Sequence, residues 1–125
     1  MNKATNNMFK QVLLAMLVVL VSAGSVLAQQ SLFFSEYIEG SSNNKAMEIY
    51  NPTADTVFLS GWAFPNVSNA PATVGEYEYW NSFPDTAFVA PGEVFVIAHP
   101  SADSEILEHA DHLFSYLSNG DDGFA

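Results

Sequence analysis

The sequence predicts an all-β domain, an antiparallel β-sandwich of short strands. Three observations carry that expectation. Runs of β-branched and aromatic residues recur at roughly ten-residue spacing. Pro, Gly, Asn and Asp clusters separate them, and a single stretch, 101–110, has helical character.

The strongest strand signal is Leu32–Asn51. An apolar run, Leu32–Ile38, meets a polar loop, Gly40–Asn44, and a second run, Ala46–Tyr50, stops at Asn51-Pro52. A loop of about five residues between two such runs is a β-hairpin signature. Asn51–Asp55 is turn chemistry, because Pro52 fixes φ and Asp55 can close the bend. Thr56–Leu59 is the third expected strand and Trp62–Phe64 a further short one. Asn66–Thr73, rich in Asn, Pro, Ser and Ala, reads as an exposed loop. Its Asn66-Val67-Ser68 matches a glycosylation acceptor, a three-residue pattern of low specificity.

Glu76–Trp80 alternates acid and aromatic residues, as a strand with one wet face does. Phe83-Pro84 and Phe88-Val89 bracket another turn. Pro91-Gly92 has the order of a type II turn, where only Gly takes φ > 0 at little cost, and leads into the buried strand Val94–Ala98. In 101–110, Ser101 is placed to cap a short helix, and Asp103 and Glu105 suit its first turn. Leu113–Leu117 reads as a last strand. The turn Ser118–Gly123 follows, and Phe124-Ala125 opens another apolar run. An Asn-Gly/Asp-Asp-Gly turn ordinarily returns a strand, so the sequence is expected to be the N-terminal part of a longer protein whose sandwich lacks its last strands here.

Residues 1–28 read as a secretory signal peptide. Lys3 and Lys10 make a basic start, Val12–Val21 is an apolar run of ten, and Val26-Leu27-Ala28 sets cleavage after Ala28. That run falls short of the roughly 20 residues of a membrane span. The domain is then 29–125, with an expected extracellular or cell-surface location. There is no cysteine, hence neither a lipoprotein anchor nor a disulfide.

Charge narrows function further. Of the three basic residues only Lys45 lies in 29–125, against all 14 acidic ones, a formal net charge of −13. Nucleic acids and anionic membranes are bound through Lys and Arg, so this segment is not expected to hold either. Such a surface suits solubility or divalent cations.

Candidate chemistry is sparse. Asn119, Asp121 and Asp122 share one turn and are weak Ca²⁺ candidates, since calcium takes several oxygens from such loops. They lack EF-hand spacing, and solvated turn residues are the simpler reading. His99, His109 and His112 make no HExxH pattern and read as surface histidines. In strict alternation Glu36 shares a face with Leu32, Phe34 and Ile38, where an acid needs a partner. Lys45 is the natural partner for Glu36 and Glu48, giving an expected structural ion pair. Trp62, Tyr77, Tyr79 and Trp80 could form a binding strip, although core packing is the expected role for most of them. No catalytic or cofactor-binding residues are identified.

FSEYIEGSSNNKAMEIYN, then Leu59-Ser60-Gly61-Trp62, then Phe83-Pro84 and Ala90–Ala98, with Asn119–Asp122 closing, resemble in order and spacing the bacterial secreted lamin-tail domain. The resemblance covers about 32–125. It implies an immunoglobulin-like sandwich serving as a non-catalytic interaction or spacer module of a larger extracellular protein. Its partners would be other domains of that protein, or an extracellular protein or glycan. An alternative is the N-terminal accessory domain of an extracellular nuclease or phosphatase whose catalytic domain lies downstream, and another is a calcium-stabilised binding domain. Fold analogy alone supplies no activity.

Overall fold

The two most apolar strand runs form the middle of the main sheet. The structure, a computed structural model, describes residues 31–69, 71–117, 120 and 122–125. The expected signal peptide lies outside the described residues. Strands β1 (Phe33–Glu39), β2 (Lys45–Tyr50), β6 (Val94–Ala98) and β7 (His112–Leu113) lie side by side in the order β1-β2-β6-β7. Two short ribbons complete the set: β3 (Val57–Phe58) with β5 (Phe88–Val89), and β4 (Asn66–Val67) with β8 (Gly123–Phe124). The fold is all-β, consistent with an immunoglobulin-like sandwich, with one short helix, α1 (Ser104–Leu107), among the described residues.

The core forms where one face of the main sheet meets the ribbons and loops. Met47 and Ile49 of β2 and Phe95 and Ile97 of β6 pack with Leu59, Phe64, Phe83, Val89 and Leu117. Phe64 joins the rings, with centroids 5.0 Å from Phe83 and 5.1 Å from Phe114. Burying each such side chain stabilises the fold by roughly 1.5–3 kcal/mol, and each ring pair adds about 0.5–1.5 kcal/mol. With no cysteine available, this packing takes the place of a covalent staple.

Turn chemistry holds the strands in register. Asn51, fully buried, donates its amide to the carbonyls of Asp55 (2.8 Å) and Val89 (2.9 Å). Its Oδ1 accepts from the Thr53 N–H (3.0 Å) and hydroxyl (2.7 Å). Its backbone N–H donates to Glu93 O (3.0 Å), and its carbonyl accepts from Gly92 N–H (2.9 Å). Gly92 sits at φ 74°, the left-handed position expected of the Pro91-Gly92 turn. The hairpin loop is also closed by a glycine. Gly40 N–H donates to Asn44 O at 2.7 Å, and a Cβ at Gly40 would lie 2.8 Å from that same oxygen.

Five expectations are corrected. The β1–β2 register shifts between Phe34 and Glu36: Phe34 faces Ile49, while Glu36, Tyr37 and Ile38 face Glu48, Met47 and Ala46. Ser35 is the extra residue of this β-bulge, so Glu36 and Phe34 do not share a face. Asn66–Thr73 is not a free loop, since Asn66-Val67 forms β4 and Asn66 is buried. Glu76–Trp80 makes only a single bridge, Asn66↔Tyr79. The helix is one turn, starting after Asp103 rather than Ser101, because His99 O takes the Ala102 N–H and the His99 ring takes the Ser101 N–H. The expected Leu113–Leu117 strand is reduced to β7, parallel to β6, with residues 99–111 making the crossover that parallel strands require.

Two outcomes follow from these contacts. Asn51→Ala strands two carbonyls and two donors in a buried site, at a cost of about 2–4 kcal/mol; in a thermal melt this lowers Tm by roughly 10–20 °C. Gly40→Ala forces the tip of the hairpin apart and costs about 1–3 kcal/mol, whereas Gly123→Ala, whose Cβ would meet only a Val67 methyl at 3.4 Å, costs less in the same melt.

Candidate functional site

The opening hairpin supplies the acids. Because of the bulge, Glu36 and Glu48 stand directly opposite each other on β1 and β2. The Glu48 carboxylate accepts the Ser35 hydroxyl at 2.6 Å, so the bulged residue holds one of the two acids. Lys45 lies on β2 at an odd position, with core-facing Met47 and Ile49, and strand alternation turns it to the face opposite Glu48. The expected ion pair joins Lys45 to Glu36 and Glu48; the register sets Glu39 of β1 directly opposite Lys45. Lys45 is buried, 6 % exposed, and is not without a partner.

Lys45 faces a polar groove of about 750 Å³, together with Asn66, Asn81, His99, Tyr79 and Tyr116. Its floor is preorganised by amides. Asn81 Nδ2 donates to Asn66 Oδ1 and to Phe64 O, each at 2.9 Å. Asn66 is 4 % exposed, so the glycosylation-like triplet it heads is committed to the interior. His99 Nδ1 accepts the Ser101 N–H at 3.0 Å, which leaves Nε2 to carry the proton of the neutral ring. Amides, an imidazole and phenols in this arrangement suit hydrogen bonding to a polar ligand rather than bond making.

On the other face of the sheet a smaller groove, about 260 Å³, runs between the hairpin and α1. Ile38, Ala46, Val96 and Ile106 give it an apolar floor, and Glu36, Glu48, Glu105 and His109 stand around it. One contact joins the hairpin loop to the helical turn. Asn44 Nδ2 donates to Asp103 Oδ2 (2.6 Å), and Asp103 N–H donates to Asn44 Oδ1 (2.8 Å). This two-bond clamp ties the Gly40–Asn44 loop to the start of α1, a role that the loop sequence did not disclose.

The remaining candidates are dispersed. Asn119 and Asp121 lie outside the described residues, and Asp122 accepts the Asn69 N–H at 2.6 Å. Among the described residues no three His, Asp or Glu side chains converge to hold a metal ion. His112, on β7, packs edge-on near the Phe64 ring, apart from His109 at the end of the helical turn. The four aromatics expected mainly in the core are exposed: Trp62 47 %, Tyr77 42 %, Tyr79 54 % and Trp80 70 %. Phenylalanines occupy the core instead, because they bring no polar atom that needs a buried partner. No helix among the described residues is long and apolar enough to cross a membrane.

Residues 25–123 match the family model described as the Lamin Tail Domain. No curated protein and no solved structure matches the chain. The match spans the main sheet, both ribbons up to Gly123 and both grooves, so the chain belongs to the Lamin Tail Domain family, an immunoglobulin-like fold that works by interaction rather than catalysis.

Proposed function

We propose that this chain is a secreted, non-catalytic interaction or spacer module of a larger bacterial extracellular protein. The observation that carries the reading is the family match over residues 25–123. The exposed Trp62, Tyr77, Tyr79 and Trp80 support it, since rigid amphipathic rings supply contact area at low entropic cost. Tyr77 and Trp80 already stack edge to face at 6.2 Å, which orders two of these rings before any partner arrives. The strongly acidic composition keeps such a surface soluble.

Two measurements test the proposal. Expressed in a secreting bacterium, the chain is expected outside the cytoplasm with Gln29 as its N-terminus by intact mass; Leu20→Arg, which breaks the apolar run, is expected to retain it inside. On arrays of extracellular proteins and glycans, the chain is expected to give saturable binding that Trp62→Ala/Trp80→Ala reduces about tenfold or more. Silence across both arrays would sink the interaction reading.

A further inference from the structure

The outer face of the main sheet breaks a rule of strand pairing. Glu36 and Glu48 are direct cross-strand neighbours, and like charges in that position destabilise a sheet. Local conflicts of this kind concentrate at functional sites. The two acids flank the apolar groove of about 260 Å³, and Glu105 stands on its far wall beside Ile106. Their carboxylates do not converge tightly enough for a metal ion. The space between them, floored by Ile38, Ala46, Val96 and Ile106, has the form that a long aliphatic stem with a cationic head would fill.

Resting on the reading of this chain as an interaction module, we propose that the groove between the hairpin and α1 docks a lysine- or arginine-bearing extended segment of a partner protein. The stem of the basic side chain lies on the aliphatic floor and its head meets Glu36, Glu48 and Glu105. Charge complementarity selects this occupant. It also speaks against the described domain of a second copy, whose Lys45 is buried on the opposite face. The neighbouring strand explains why the cation belongs to a polypeptide. β1 borders the groove through Glu36 and Ile38, is the edge of the sheet among the described residues, and is exposed along six of its seven residues. An edge strand accepts an extended backbone, which would carry alternate side chains past the groove.

The test is fluorescence anisotropy with the full chain and a labelled octapeptide of alternating Lys and Val, with a Glu-Val octapeptide as control. Saturable binding of the basic peptide alone is expected, weakened about tenfold by Glu36→Gln/Glu105→Gln. Glu76→Gln/Glu93→Gln, which removes the same charge elsewhere, is expected to leave the affinity unchanged. Glu36→Gln by itself is expected to raise Tm, since it relieves the opposed acids while weakening binding. Equal losses in the two double variants would reduce the effect to bulk charge and overturn the proposal. An unchanged affinity in the groove variant, or no binding of the basic peptide, would overturn it as well. Spermine binding as tightly as the peptide, or a concentration-dependent dimer in sedimentation, would place a free polyamine or a second copy there and have the same force. Failure of the basic peptide with array binding intact removes only this assignment, whereas silent arrays remove the module reading beneath it.

Discussion

One buried asparagine holds together segments that the chain presents far apart. Asn51 ends β2, closes the turn that follows, reaches β5 through Val89 and receives the Pro91-Gly92 turn through its carbonyl. Every hydrogen-bonding position of its side chain is used. A sandwich of short strands has few ladder bonds per strand, so its alignment rests on junctions of this kind. The asymmetry of hydrogen-bond energetics sharpens the point: a satisfied buried amide contributes modestly, while an orphaned one costs several times as much. Among the described residues no buried side-chain polar atom lacks a partner, and Asn51, Asn66 and Asn81 account for much of that accounting on the polar side of the core.

Much of this architecture was legible in the residues. The hairpin over Leu32–Asn51, the Pro91-Gly92 turn and the buried strand Val94–Ala98 follow from apolar runs bounded by residues whose backbone preferences are strong. What stayed hidden depended on partners distant in sequence. The alternation of Glu76–Trp80 mimics a strand, yet a strand needs a neighbour along its length, and here only Tyr79 bridges to Asn66. Asn66-Val67 looks like loop, but pairs with Gly123-Phe124, some 57 residues on. The bulge at Ser35 is invisible to period-two reading, because two residues opposing one leaves no trace in composition. That shift carried Glu36 from the expected core side to the outer face, and with it the reading of the acidic pair. The family resemblance was legible from four short motifs. The two grooves were not, since each is assembled from several segments.

Charge shapes the surface as strongly as packing shapes the interior. One lysine serves 14 acids between Gln29 and Ala125, and the fold places it inside. Several acids are satisfied by backbone donors instead: Glu78 receives the N–H groups of Ser68 and Ala72, and Asp111 that of Val96. These bonds organise loops without needing a cation. Glu36 and Glu105 take no such bond among the described contacts, and with Glu48 they face the apolar groove.

The Asn44–Asp103 clamp joins residues 59 apart in the chain, and its consequence is kinetic as well as structural. It ties the hairpin loop to the start of α1, the two elements beside the groove, so a segment docking as proposed would meet walls already in place rather than a loop that must be ordered first. A site set in advance loses little entropy on occupation. Discrimination between partners would then appear mainly in how long each one stays.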